Sequence, residues 1–266
     1  PPDRFYLNNG DGTFREVVKK ATFQTSIFGM GFDAADINND GLVDLYQIDM
    51  TPEDHFRRVV NVMPMRRETF NKSVEFGFHY QYMQNSLQIN NGIFDSIPVY
   101  SNITLFAGTA YTDWSWGGTF LDLDNDGNKD LFVANGVLKD INDRDVLRDP
   151  MENEYFKQVK EYRPELFPST PIRNYVYKNN GDLTFTDVSI NWGFEEPTLA
   201  NGMSYSDFDN DGDLDIVICN VNEVSAIYEN RAANSKNNHY IKINLAGPNH
   251  NLYGLGSIIT VKTKDI

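Results

Sequence analysis

The sequence predicts an all-β fold, a β-propeller built of four-stranded antiparallel blades with acidic A–B loops and two helical insertions. Three repeated phrases predict it. An acidic nonapeptide occurs as Asp36-Ile-Asn-Asn-Asp-Gly-Leu-Val-Asp44, Asp122-Leu-Asp-Asn-Asp-Gly-Asn-Lys-Asp130 and Asp207-Phe-Asp-Asn-Asp-Gly-Asp-Leu-Asp215. An Asn-Gly phrase occurs as Tyr6-Leu-Asn-Asn-Gly-Asp-Gly-Thr-Phe14, Leu87-Gln-Ile-Asn-Asn-Gly-Ile-Phe94 and Tyr177-Lys-Asn-Asn-Gly-Asp-Leu-Thr-Phe185. A glycine-bearing phrase leads into each nonapeptide: Gly29-Met-Gly-Phe32, Trp116-Gly-Gly-Thr-Phe120 and Asn201-Gly-Met-Ser-Tyr205. The central aspartates Asp40, Asp126 and Asp211 lie 86 and 85 residues apart, which is the spacing of a structural repeat.

The elements follow in order from these phrases. Strand A leads into the acidic loop (30–36, 117–122, 202–207), and strand B leaves it (43–49, 130–135, 214–220) as a β-branched and aromatic run. Strands C and D flank the Asn-Gly turn, 85–90 with 93–98 and 174–179 with 183–188, because Asn-Gly between apolar runs is a strong hairpin signal. Residues 4–18 supply only C and D of an earlier unit, and the last unit has A, B and C (225–230). Residues 1–230 thus make half a blade and three blades. One blade cannot bury both of its faces, so several must stack around an axis, and propellers usually have four to eight. The expectation is therefore that this chain is part of a larger protein.

Two units carry insertions between B and C, at 50–84 and 136–173. Thr51-Pro-Glu-Asp54 precedes Phe56, Val59, Val60 and Met63, while Asp149-Pro-Met-Glu152 precedes Tyr155, Phe156, Val159 and Tyr162. Each opening reads as a capping residue, Pro at the first helical position and acid in the first turn, followed by an apolar stripe of helical period. From His239 the pattern changes. His239 to Leu245 alternates, Gly247 to Gly256 is rich in turn residues, and Ser257 to Lys262 reads as another strand, so 239–266 is expected to start a separate β element.

The nonapeptide has the chemistry of a hard-cation site. Oxygen-bearing side chains at positions 1, 3, 5 and 9 converge if the chain turns sharply, and the glycine at position 6 permits that turn. Position 7 adds its carbonyl. Calcium takes six to eight oxygens at about 2.3–2.6 Å, whereas magnesium keeps more of its waters. An EF-hand would need Glu at position 12 and a following helix. Position 12 here is Gln47, Val133 or Ile218, within a strand. Turn formation alone would leave positions 1 and 9 free to vary. In all three copies both are Asp.

The formal net charge of −15 argues against nucleic-acid binding, which needs a basic face, and three bound divalent cations would bring it to −9. No run is long and apolar enough for a transmembrane span, and none reads as a signal peptide. The opening Pro1-Pro2-Asp3 reads as a fragment or processed chain. The single Cys219 lies in a strand run and is expected to be buried. Lack of disulfides points towards the cytosol, and calcium loops of extracellular type point outward; metal sites can replace disulfides as staples.

These phrases resemble the FG-GAP/VCBS repeat family, whose blades build integrin-like propellers with Asp-x-Asp-x-Asp-Gly-x-x-Asp calcium loops. The end of the chain, from Gly247-Pro-Asn to Leu255-Gly-Ser-Ile-Ile-Thr-Val261, is similar to the start of the ASPIC/UnbV segment of cartilage-acidic-protein-like bacterial surface proteins. The resemblance covers residues 4–261 and departs in the long insertions. It implies three calcium sites: Asp36, Asn38, Asp40, the Leu42 carbonyl and Asp44; Asp122, Asp124, Asp126, the Asn128 carbonyl and Asp130; and Asp207, Asp209, Asp211, the Asp213 carbonyl and Asp215. It also implies an extracellular or outer-membrane-associated cell-surface setting in a bacterium, with a protein partner.

Nothing in the sequence assembles a catalytic site. His55, His79, His239 and His250 are scattered, and neither a nucleophile elbow nor a phosphate loop is present. An interaction module stands first. A carbohydrate-binding, lectin-like propeller using Trp114 and Trp116 is the alternative, and an accessory domain of a surface polysaccharide-processing enzyme is a third reading. Two expectations follow. Asp126→Ala is expected to destabilise more than Asp113→Ala. In an up-and-down blade, the acidic loops and C–D turns share one face of the disc. The insertions and D–A connectors, with Trp114, Trp116, Trp192 and Phe194, share the other.

Overall fold

A computed structural model describes residues 3–62, 65–146, 165, 167–234 and 240–261. Strands β1 (Tyr6–Asn8) and β2 (Phe14–Glu16) form an antiparallel hairpin, followed by the short helix α1 (Val18–Ala21). Then come β3 (Thr25–Ser26), β4 (Phe32–Ala35), β5 (Asp44–Gln47), α2 (His55–Asn61), α3 (Arg67–Glu75), β6 (Gln81–Tyr82), β7 (Ser86–Phe94), β8 (Ile97–Asn102) and α4 (Thr104–Ala107). The next set is β9 (Ser115–Leu121), β10 (Asp130–Asn135), β11 (Tyr175–Asn179) and β12 (Phe185–Asp187), and the last is β13 (Ala200–Ser206), β14 (Asp215–Asn220) and β15 (Ala226–Tyr228). The main sheets have the orders β4-β5-β7-β8, β9-β10-β11-β12 and β13-β14-β15, all antiparallel. The chain is thus mostly β, and each acidic nonapeptide joins the first strand of a sheet to its second.

The sheets stack because successive residues of a strand point to opposite faces. Leu131 and Val133 of β10, with Tyr175 and Tyr177, pack against Tyr46, Ile48, Leu87 and Ile89 of the first sheet. Their neighbours Phe132, Ala134 and Val176 pack against Ile216 and Ile218 of the third. All six residues of β10 are consequently buried. The β1–β2 hairpin covers the far side of the first sheet through Phe5, Leu7, Val17 and Ala21 on Ile97 and Tyr100. First strands of adjacent sheets lie close, since Asp33 of β4 accepts the Phe120 N–H of β9 at 2.7 Å. The lead-in glycine makes that approach possible: a Cβ on Gly31 would sit 2.7 Å from the Trp116 carbonyl oxygen.

Several expectations are corrected. In the first sheet the Asn-Gly pair is not the hairpin turn. β7 runs through Asn90-Asn91-Gly92, and the chain turns at Asp95 and Ser96 with φ of 49° and 61°, moving the fourth strand to Ile97–Asn102. In the other two copies, Asp11 and Asp182 each accept from the N–H and the hydroxyl of Thr13 and Thr184, which closes the loop at Asn-Gly. The first sheet has Ile93 and Phe94 where the others have Asp and a loop residue, so that clamp is missing.

The first insertion forms two helices, and α2 starts at His55 with Asp54 as its cap, accepting the Arg57 N–H at 2.8 Å. Thr51 is unavailable as a cap because its buried hydroxyl donates to Asp49 at 2.9 Å. Val60 is buried, but Phe56 and Val59 are exposed. The helix expected after Asp149 lies outside the described residues. Cys219 is exposed, because it points to the face of β14 opposite Ile216 and Ile218, away from their core cluster.

The strands expected over 239–245 and 257–262 do not form among the described residues, 240–261, which carry only turns and irregular chain. An alternating run becomes a strand only beside a hydrogen-bonding edge, and none of the described strands pairs with it. A two-residue parallel pair, β3 with β6, links the start of the first sheet to the end of the first insertion.

Candidate metal-binding loops

Two features shape each loop before any side chain reaches for a cation. The residue at position 4 (Asn39, Asn125, Asn210) has φ of 59°, 56° and 63°, and the glycine at position 6 has 85°, 90° and 99°. Asn tolerates the left-handed region and glycine enters it freely. The turn folds the aspartates back on one another. Carboxylates of Asp122, Asp124 and Asp126, and likewise of Asp207, Asp209 and Asp211, offer oxygens that all lie within 4.8 Å of one another. These acidic clusters could bind a metal ion.

In the first two loops the position-1 carboxylate organises the turn. Asp36 accepts the N–H groups of Asp40 and Gly41 at 3.1 and 2.8 Å, and Asp122 accepts those of Asp126 and Gly127 at 3.0 and 2.9 Å. Asn38, standing where the others have Asp, donates to Asp40 at 3.0 Å. In the second loop the Lys178 ammonium lies against both Asp124 and Asp126, with 2.8 Å to Asp126. Burial opposes charge on Asp126, but the Lys178 contact and the Asn128 N–H outweigh it and hold the carboxyl below its usual range. In the third loop Asp211 accepts the Asp213 N–H at 3.2 Å, but among the described residues no ammonium pairs with its carboxylates, and Asp207 Oδ1 is buried without a hydrogen-bond partner. That orphaned oxygen, together with an ammonium standing between two carboxylates in the second loop, is what a cation-binding donor set is expected to display.

Position 9 has a second task that spacing alone does not reveal. Asp44, Asp130 and Asp215 are buried, and each bridges two backbone amides. One belongs to position 2 of its own loop (Ile37, Leu123, Phe208; 2.9–3.1 Å). The other belongs to an asparagine in or shortly after the sheet's third strand (Asn90, Asn179, Asn230; 2.8–2.9 Å). Burial pushes the Asp130 carboxyl up to about 7. At position 7 the Leu42 and Asn128 N–H groups donate to Asp40 and Asp126, each at 2.8 Å. Asp213 differs there, because its side chain is buried, accepts the Ala233 N–H at 2.8 Å and leaves Oδ1 unpartnered.

The loops are also joined to one another. Asn39 Nδ2 donates to the Gly127 carbonyl of the next loop at 3.2 Å, and Asn125 Nδ2 to the Gly212 carbonyl of the one after at 3.4 Å. Below them, Asn179 Nδ2 donates to Ile37 O at 2.8 Å in the preceding sheet, and Asn230 Nδ2 to Leu123 O at 2.7 Å. The sequence puts Asn39 and Asn125 in the acidic loops and Asn179 and Asn230 at the ends of C strands; their recurrence is the signal for this second role. Asn179→Ala is expected to lower stability by about 2–3 kcal/mol, since it strands buried carbonyls in two sheets. Chemical denaturation measures it, and a loss under about 0.5 kcal/mol would remove Asn179 from this role.

The opposite face gathers the other connections. Arg57 of the first insertion binds Asp113, in the connector before β9, through two bonds of 2.7 and 3.0 Å, and Asp140 of the second insertion at 3.1 and 3.3 Å. Asp113 is therefore a buried ion-pair member rather than an indifferent comparison for Asp126. Trp114 is buried and the Trp116 indole N–H donates to the Gly136 carbonyl. Phe194 packs in the core against Phe132 and Tyr228. Among the described residues, no helix is long and apolar enough to cross a membrane.

No curated protein matches the chain. One family model does match, over stretches that contain the first and third loops; the second loop lies outside them yet repeats the hydrogen-bond frame of the first. The model is that of the FG-GAP-like repeat, which residues 2–46 and 163–247 match, so that the chain carries FG-GAP-like repeats in those two stretches.

Proposed function

We propose that the chain is a calcium-stabilised β-propeller module, part of a larger extracellular or outer-membrane-associated bacterial surface protein, and that it acts by binding another protein without catalysis of its own. On this reading the three loops bind calcium through the residues named above, and the C-terminal segment from Gly247 onward begins an ASPIC/UnbV-like element. The observation that carries the calcium part is the unsatisfied oxygen chemistry of the loops, above all the buried Asp207 Oδ1. Side-chain and carbonyl oxygens in this number suit calcium better than magnesium.

Partner binding is placed on the insertion face. Loops longer than connection requires are where a rigid scaffold presents function. The first insertion exposes Phe56, Val59, Phe76 and Phe78, an apolar group that its own helices leave uncovered among the described residues. A glycan platform is less favoured, because Trp114 is buried and Trp116 is tied to Gly136. Crosslinking the calcium-loaded protein to its surface partner is expected to place contacts in 50–84, and Phe56→Ser with Val59→Ser to weaken binding at least about tenfold at unchanged melting temperature. Contacts concentrated on 36–44, 122–130 and 207–215, with the insertions bare, would show the other face to be the binding one.

A further inference from the structure

The three loops differ in what balances their charge, and the difference lies outside the nonapeptide. The residue before the bridging asparagine of each sheet is Ile89, Lys178 or Glu229. Ile89 is buried in the core and brings no charge. Glu229 turns to Arg231 at 3.2 Å. Lys178 alone reaches into its loop, where its ammonium donates to Asp124 Oδ2 and, at 2.8 Å, to Asp126 Oδ2. Its backbone leaves it little freedom to be elsewhere. Lys178 is paired with Thr186 across the sheet, and the N–H of the next residue, Asn179, is held by Asp130 at 2.9 Å. The ammonium is thus anchored, through two residues of main chain, to the same loop whose carboxylates it neutralises.

Resting on the calcium reading above, we propose that Lys178 is a built-in counter-cation of the loop 122–130, which competes with calcium there and makes this loop the weakest of the three. A divalent ion and an ammonium cannot share two carboxylate oxygens. Calcium enters only when Nζ withdraws, and the withdrawn charge still repels it from a few ångströms away. The same contact offsets the repulsion between two of the loop's carboxylates without metal. Asp122 keeps both of its N–H bonds, as Asp36 does in the less charged first loop, whereas the third loop, with five aspartates and, among the described residues, no ammonium on any of them (Lys242 reaches only Asn210 Oδ1, at 3.4 Å), leaves Asp207 Oδ1 without a partner. The second loop is therefore the cation-independent staple of the row, and the third is the one that needs its ion.

Isothermal titration of the full chain with calcium chloride tests this. Wild type is expected to show a weak class of site beside tighter ones. Lys178→Met, which keeps the length of the stem, is expected to strengthen the weak class at least tenfold, equivalent to about 1.4 kcal/mol. Asp126→Asn is expected to abolish the weak class and leave the tighter ones in place, which keeps the test decisive if the Met variant fails to fold. A weak class untouched by Lys178→Met, three equal sites in wild type, or loss of a tight class in Asp126→Asn each overturns the proposal while leaving calcium binding intact. Absence of calcium binding in wild type and in both variants overturns the calcium reading and the proposal together.

Discussion

Chelation of divalent cations is expected to lower the melting temperature of this chain, and added calcium to restore it. An ion present at about a hundred times its dissociation constant and bound only by the native state adds about 2.7 kcal/mol per site. For a chain of this size that corresponds to a shift of about 5–10 °C for each tight site. The structural reason is local. The second and third loops each gather three aspartates within a few ångströms, and where no cation balances them that repulsion opposes the turn joining the first two strands of the sheet. Asp211→Asn is expected to cost about as much as losing one tight site in saturating calcium, and little after chelation, when wild type has lost the same ion. Glu196, exposed in the connector between β12 and β13, is the suitable comparison position. Identical melting curves in chelator and in millimolar calcium would end the calcium reading.

Arg57→Ala is expected to destabilise by about 3–5 kcal/mol, and by the same amount with or without calcium. The side chains of Asp113 and Asp140 are only 5% and 2% exposed, and Arg57 is the cation facing both. Removing it leaves two buried charges without a cation, held only by the Thr170 hydroxyl that donates to Asp140 at 2.6 Å and the Trp114 N–H that donates to Asp113 at 2.8 Å among the described residues. Burial disfavours the guanidinium, but the bonds to Asp113 and Asp140 outweigh it and hold the Arg57 pKa above its ordinary value. Lysine should recover little, because one ammonium cannot reproduce a planar fork that grips two carboxylates. Denaturant titration of Arg57→Ala, and of Arg57→Ala with Asp113→Asn, separates the effects. The second substitution should recover part of the loss, since it removes one of the stranded charges. A loss below about 1 kcal/mol would mean that solvent reaches this cluster and screens it.

The two effects mark the two faces of the stack. Acidic loops, the residues that bridge them and the Asn-Gly turns lie together, with Gly181 3.9 Å from Asn128 across a loop and its neighbouring turn when a Cβ is built on the glycine. Insertions and connectors lie together at Arg57, Asp113 and Asp140. A calcium effect on partner binding would therefore have to pass through the sheets rather than through direct contact.

Strands and loops were legible in the sequence because their signals are local. Period-two alternation, Asn-Gly turns and nine-residue oxygen spacing each act within a few residues; β10 starts at the expected 130, and β5 and β14 one residue after the expected 43 and 214. Even the failed turn at Asn91-Gly92 has a local cause, the missing Asp–Thr clamp. What the sequence could not disclose depends on partners brought close from far along the chain. Arg57 meets Asp113 and Asp140 over separations of 56 and 83 residues, and Asn179 meets Ile37 over 142. Lys178 looked like an ordinary strand residue until β11 placed its ammonium between Asp124 and Asp126. The same holds for Cys219, whose exposure is decided by what covers the outer face of β14, and for the alternating run of 240–245, which finds no edge to pair with. Local chemistry determined which pieces would form; the stacking of one sheet on the next decided which charges, amides and side chains they set against one another, because burial makes an unpaired polar group costly only where water is excluded.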